Sequence, residues 1–154
     1  MHEGQRLSLI FPAYNEEKNI EKAVQEFRAL GVFDEILVID NNSKDQTEAL
    51  ARKAGARVIS EPKQGYGHAL RRGLDEALGD LIFLAEPDGT FAPHDVWKFL
   101  AYASDFDLVY DQAAFLGTLS AFDGICGARD PRPTKNCAKP TARQRGATLA
   151  APGP

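Results

Sequence analysis

Glu86 and Asp88 lie two residues apart in the segment Ala-Glu-Pro-Asp-Gly-Thr-Phe, directly after the apolar run Leu81-Ile82-Phe83-Leu84. Side chains two apart on an extended chain point the same way. Both carboxylates can therefore aim at one point just beyond a strand end. Paired oxygens of this kind suit a hard divalent cation, Mg²⁺ or Mn²⁺, which commonly shares its ligands with the phosphates of a substrate. Taken alone, Glu-x-Asp is more often a solvated acidic turn, since Pro-Asp-Gly is itself turn chemistry. The choice between the two depends on what the rest of the chain brings to the same edge.

The elements around this pair alternate in type. Leu7–Phe11 is a short apolar run that Pro12 is expected to stop, and it reads as a strand. Residues 17–30 place Ile20, Ala23, Val24, Phe27 and Leu30 on one helical face, with Gly31 as the stop. Glu35–Ile39 reads as a second strand ending at Asp40. Asn42 or Ser43 is a candidate cap for a helix over about 46–54, closed by Gly55. Ala56–Ser60 follows as a third strand. A helix over about 66–78 turns Ala69, Leu70, Gly73, Leu74, Ala77 and Leu78 inward, and Leu81–Ala85 is the fourth strand. Pro93 suits the first turn of a helix through about Tyr102, and Phe106–Tyr110 reads as a fifth strand.

Near-continuous apolar strands separated by helices predict a parallel α/β sheet covered on both faces. Ligands of such sheets bind outside the carboxyl ends of the strands. The polar clusters fall at those ends: Tyr14-Asn15-Glu16, then Asp40, then Glu61-Pro62-Lys63, then Glu86 and Asp88. Their convergence turns the metal reading of Glu86 and Asp88 into the favoured one. The Gly65-Tyr66-Gly67 pair follows the third strand rather than the first. It is therefore a weak match to a dinucleotide-binding loop.

Four segments occur in a fixed order: Pro12-Ala-Tyr-Asn-Glu-Glu17; Val38-Ile-Asp-Asn-Asn-Ser43 with Asp45 and Thr47; Lys63-Gln-Gly-Tyr-Gly-His-Ala69 with Arg71 and Gly73; and Glu86-Pro-Asp88. The ordered set resembles the family 2 inverting glycosyltransferases of GT-A fold, and within them is most similar to the polyprenyl-phosphate (dolichyl-phosphate) sugar transferases. The resemblance covers residues 7–110. It implies a Rossmann-like parallel-sheet sandwich truncated after its donor-binding half. It also implies a nucleoside-diphosphate sugar as donor and a polyprenyl phosphate at the membrane surface as acceptor. By resemblance, Pro12, Tyr14, Asn15 and Glu16 line the nucleotide pocket and Asp40 contacts the base or ribose. Lys63, Gly67 and Arg71 lie over the sugar nucleotide, and Glu86 and Asp88 match the metal motif, with Glu in place of the usual first Asp. Asn41-Asn42 stands where the family often has Asp-Gly, which leaves the base, uracil or guanine, open. A sugar-phosphate nucleotidyltransferase is the competing enzyme class, but Pro12–Glu17 is not the Gly-rich basic loop that class carries after its first strand.

The 154-residue chain carries a net charge of −4, which gives no broad footprint for nucleic acid. It has no apolar run of the length that spans a membrane and no signal-peptide pattern. Cys126 and Cys137 have no metal-ligand spacing and read as free thiols. These features predict a cytoplasmic protein, with peripheral attachment to the cytoplasmic membrane face implied by the resemblance. Composition changes near residue 110: residues 1–110 hold 12 basic and 19 acidic side chains, whereas 111–154 hold 6 and 3 and five of the nine prolines. Residues 1–110 are thus expected to form the nucleotide-sugar-binding domain, and 111–154 a poorly ordered tail outside the family pattern. The family's usual Gly-Thr-Arg-like turn is replaced by Asp111-Gln112-Ala113. A one-base shift of one codon choice for Asp-Gln reads Thr-Arg, which suggests a frameshift there. No catalytic base is legible in the tail, where Asp123 and Asp130 are candidates by type only. The expectation is a chain that binds donor and metal but transfers sugar weakly or not at all, the alternative being a non-catalytic nucleotide-binding fragment.

Overall fold

The computed structural model describes residues 4–103, 106, 109–111 and 147–149. The chain divides into two compact units, Met1–Pro93 and His94–Pro154. The first is a doubly covered parallel sheet. Its elements are β1 (Leu7–Ala13), α1 (Ile20–Ala29), β2 (Glu35–Asp40), α2 (Thr47–Lys53), β3 (Arg57–Ser60), α3 (Tyr66–Glu76) and β4 (Leu81–Leu84). The strand order is β3-β2-β1-β4 and every pairing is parallel. The order reverses direction at β1, with β2 on one side and β4 on the other, which makes the carboxyl end of β1 the natural crevice of this sheet.

Every residue of β1 is buried, as are five of six in β2, which explains why these strands read as unbroken apolar runs. Ile10, Leu37 and Ile39 pack with Ala69 of α3 on one face. On the other face, Phe11 meets Phe27 of α1 edge-on at 5.3 Å between ring centroids, and Phe33, Phe83 and Phe91 extend that aromatic cluster. α3 approaches the sheet closely because Gly73 lies over Ile10; a Cβ there would sit 2.6 Å from Ile10 Cγ2.

β1 does not stop at Pro12 but runs through it to Ala13. Along β1 the Ile10 carbonyl accepts from Ala85 N–H on the β4 side, and the Ala13 carbonyl accepts from Asn41 N–H on the β2 side. Alternation therefore turns the nitrogen of Pro12 toward β4. Pairing with β4 ends at Ile10 opposite Leu84, so the missing N–H removes no ladder bond. Pro12 is compatible with the strand because its neighbour has already departed.

Two other expectations shift. α3 ends at Glu76: Ala77 turns extended, and the Leu78 N–H donates to the Glu35 carboxylate at 2.9 Å, which leaves the Leu78 side chain exposed rather than inward. Neither Asn42 nor Ser43 caps α2. Asp45 accepts from Thr47 N–H at the start of that helix, while the Ser43 hydroxyl accepts from Asn15 N–H at 2.9 Å. The loops before α1 and α2 are in fact bonded to each other. Glu16 N–H donates to Thr47 Oγ1 and Glu17 N–H to Asp45; in return Lys44 N–H donates to Asn15 Oδ1 and Gln46 N–H to Glu17.

In the second unit, α4 (Val96–Tyr102) follows a 3₁₀ turn at Pro93–Asp95, where one continuous helix was expected. The unit's strands β5 (Val109–Asp111) and β6 (Ala147–Leu149) pair in parallel, so four residues of the expected tail, Asp111 and Ala147–Leu149, adopt regular structure. Leu108, Cys126, Cys137, Asp123, Asp130 and the side chain of Tyr110 lie outside the described residues, as does the remainder of the tail. Among the described residues no helix is long and apolar enough to cross a membrane.

Candidate nucleotide and metal site

The carboxyl ends of β1 and β2 open onto a cavity of about 190 Å³ lined by Pro12, Ala13, Tyr14, Asn41, Gln64, Gly65, Tyr66 and Ala69. One wall is the end of β1 and the opposite wall is the loop that leads into α3. Gly65 begins that helix at φ +136°, a backbone conformation that L side chains rarely adopt, which accounts for glycine there. No side chain caps α3. Its first-turn N–H groups and positive dipole end thus lie at the cavity wall, an arrangement that suits a phosphate.

Asp40 ends β2 and is buried, yet its Oδ1 has no hydrogen-bond partner. An orphaned buried carboxylate oxygen is costly, and this one lies at the end of β2 next to Asn41 of the cavity lining. The residue beside it is the opposite case. Asn41 is buried with both ends of its amide engaged: Nδ2 donates to the carbonyls of Glu61 at 3.0 Å and Lys63 at 2.6 Å, and Oδ1 accepts from Gly65 N–H at 2.8 Å.

Glu86 and Asp88 are exposed beyond the end of β4. Only the approach to Glu86 is extended; Asp88 lies in a turn, so the simple alternation expected of the pair does not hold through it. Both acids nonetheless act on Tyr66. The Tyr66 hydroxyl is pushed up to about 12 by burial, by the charge of Glu86 and its hydrogen bond to that carboxylate, and by the charge of Asp88. Tyr66, which opens α3 and lines the cavity, thus links to Glu86, while Glu86 and Asp88 themselves line a second pocket with Asn19, Lys22, Glu26 and Phe91. Asp88 Oδ1 accepts from both the N–H (2.9 Å) and the hydroxyl (2.7 Å) of Thr90, which orients the carboxylate and leaves Oδ2 for an outside partner. Among the described residues no third His, Cys, Asp or Glu joins the pair. Two carboxylates without a protein cage fit a hard cation that draws its remaining ligands from water and substrate phosphate.

The other residues expected at the site divide. Pro12 and Tyr14 line the cavity, Tyr14 as an exposed ring. Asn15 and Glu16 also bond within the protein: the side-chain oxygen of Asn15, at φ +56°, accepts from Lys44 N–H, and Glu16 Oε2 accepts from Asn19 Nδ2 at 3.0 Å. Lys63 is exposed on the β3–α3 loop, which its backbone helps to fasten. Gly67 lies in the first turn of α3, where a Cβ would meet nothing within 4 Å, so packing does not explain the glycine. Arg71 is four residues further on the same face and exposed. Tyr66 and Gln64 were not anticipated as lining residues. Tyr66 was legible only as the residue between two glycines, and no spacing rule links it to Glu86, 20 residues away across a strand.

The sequence profile described as Glycosyl transferase family 2 matches residues 8–118. The chain belongs to that family. Among curated relatives it is 35% identical over 91 residues to Protein RfbJ of Shigella flexneri, covering 59% of this chain and 70% of that one. It is 36% identical over 105 residues to glucosyl-3-phosphoglycerate synthase of Mycolicibacterium smegmatis, covering 58% and 35%. The crystal structure of glucosyl-3-phosphoglycerate synthase from Mycobacterium tuberculosis, in complex with Mn²⁺, uridine diphosphate and phosphoglyceric acid, superposes with a TM-score of 0.64 at 31% identity. That match covers 70% of this chain and 43% of the synthase. The expected GT-A-type α/β fold is thereby shown. The chain spans less than half of the synthases it matches.

Proposed function

We propose that residues 4–93 form the donor-binding half of a metal-dependent glycosyltransferase that takes a nucleoside-diphosphate sugar. The observation that carries this reading is the hydrogen bond from Tyr66, which opens α3 and lines the cavity, to Glu86 of the acidic pair. Support comes from the solved synthase bound to Mn²⁺ and uridine diphosphate. In this assignment Asp40 accepts a hydrogen bond from the base or ribose, and Tyr14 and Pro12 form the wall beside it. The opening N–H groups of α3, with Lys63, Gly67 and Arg71, face the diphosphate. Glu86 and Asp88 would hold Mg²⁺ or Mn²⁺; when bound, the ion supplies positive charge against the diphosphate leaving group. Asn15 and Glu16 shape the pocket by fixing its loop.

Transfer with inversion is a single displacement at the anomeric carbon, and it also needs an aligned acceptor and a base. No described residue is assigned to either task. The resemblance points to a polyprenyl phosphate met at the cytoplasmic membrane face, whereas the solved relative holds phosphoglyceric acid. Both acceptors belong in the assay, and sugar transfer from a radiolabelled donor to either one identifies the class.

The donor half is tested by calorimetry with UDP and GDP. Mn²⁺ is expected to strengthen binding of at least one of them, and Asp88→Ala to abolish that gain. Equal affinity with and without metal would overturn the assignment of Glu86 and Asp88.

A further inference from the structure

Asp40 and Asn41 are consecutive, both buried and both at the crevice, yet their hydrogen bonding is opposite. Asp40 Oδ1 has no partner, whereas the Asn41 amide contacts three backbone groups of the 61–65 loop. Those partners fix the orientation of the amide, because two carbonyls require donors and the Gly65 N–H requires an acceptor. The bonded loop is the short connection from β3 to α3, and Gly65 is its last residue before the helix. Tyr66, Gly67 and Arg71 follow at once on α3. Asn41 is also anchored from below, since its own N–H donates to the Ala13 carbonyl at 2.8 Å. One residue thus ties the end of β1, through its backbone N–H, and the start of α3, through its side chain, to the end of β2.

Resting on the donor-site reading, we infer that Asn41 is a positioning residue for nucleotide binding: it sets the height of the α3 N-terminus over the cavity and contacts no ligand atom itself. Both of its amide N–H groups and one acceptor position of its oxygen are already engaged by the loop, whereas the Asp40 oxygen beside it is unpartnered. An amide is suited to this place because a carboxylate would keep an acceptor for Gly65 N–H but set its second oxygen against the carbonyls of Glu61 and Lys63. The substitution Asn41→Asp, near-identical in shape, should therefore release the loop while leaving the sheet intact.

The experiment uses the full chain, with Asn41→Asp and Asn41→Ser as variants. UDP and GDP affinities are measured by calorimetry with Mn²⁺, folding by circular dichroism, and amide hydrogen exchange across residues 61–69. The expected result is a folded Asn41→Asp protein with affinity reduced at least tenfold, faster exchange confined to 61–69, and Asn41→Ser intermediate. A purely structural role would lower the melting temperature but leave the affinity of the folded protein unchanged. Unchanged affinity in either folded variant overturns the inference. Where Asn41→Asp does not fold, Asn41→Ser decides by the same criterion. Wild-type protein that binds neither nucleotide removes the donor-site reading, and this inference with it. Wild-type binding with an indifferent variant removes the inference alone.

Discussion

Replacing Asp40 by Asn separates stability from function at a single atom. The side chain ends β2, is 5% exposed, and carries a buried oxygen with no partner. A buried group left unsatisfied costs about 1–3 kcal/mol, and the unliganded protein bears that cost. Asp40→Asn keeps the shape and removes the charge, so the unliganded fold should lose nothing and gain up to about 1 kcal/mol, on the order of 4–8 °C in melting temperature for a unit of this size. Binding should move the other way. The amide keeps an acceptor but loses the charge, and a hydrogen bond to a charged group (about 1.5–3 kcal/mol) exceeds a neutral one (about 0.5–1.5 kcal/mol), so the nucleotide weakens by about 1–1.5 kcal/mol, roughly 5- to 12-fold. Thermal melts followed by circular dichroism give the first quantity, and calorimetry with UDP and GDP in the presence of Mn²⁺ gives the second. An unchanged dissociation constant in a folded variant would remove Asp40 from the site. A melting temperature lowered by more than a few degrees would refute the premise that Oδ1 is unpartnered.

Two further outcomes test the scaffold. Gly73→Ala forces a methyl group against Ile10 and Ile39. Overpacking of about 1–3 kcal/mol, set against a helix-propensity gain of about 1 kcal/mol, predicts a net loss of up to about 2 kcal/mol in denaturant unfolding; a stabilised variant would show that α3 does not pack this closely. For Glu35, burial raises the pKa, but hydrogen bonds from Leu78 N–H, Ser8 and Arg57, with the charge of Arg57, outweigh it and hold the carboxyl below its ordinary value of 4.5. A depressed folded-state pKa contributes stability above the unfolded value and loses it as pH falls through the folded one. Melting temperature should therefore decline below about pH 4.5, and Glu35→Gln should flatten part of that decline; identical acid profiles would assign the loss to other groups.

The alternation of strands and helices was legible because β1 and β2 are covered on both faces and leave an apolar run that needs no partner to be recognised. The polar ends of the strands were legible for the same reason: where cover stops, the residue type changes. What could not be read was which polar group satisfies which. Asn15 and Glu16 are legible as polar strand-end residues, and only the fold reveals Lys44 N–H and Asn19 as their partners within the protein. Asn41 and Tyr66 were missed because their partners lie 20 or more residues away on other elements. Pro12 misled because proline ends a strand only when the lost N–H has a carbonyl to miss, and that depends on where β4 departs. Leu78 misled because hydrophobic periodicity carries no information about the Glu35 carboxylate that draws the chain out of the helix.

The reciprocal bonds between the loops before α1 and α2 bear on how this domain can be altered. Asn15, Glu16 and Glu17 send three N–H groups to side chains of residues 43–47, which return two. Neither helix carries a side-chain cap from its own capping residue. The two connections therefore behave as one part in two pieces. Swapping either loop alone for that of a relative should fail even when its length and composition are correct, and swapping both together should succeed. A library that diversifies one loop to retune the pocket would chiefly collect unfolded clones, whereas paired diversification keeps the joint and frees the residues that face the ligand.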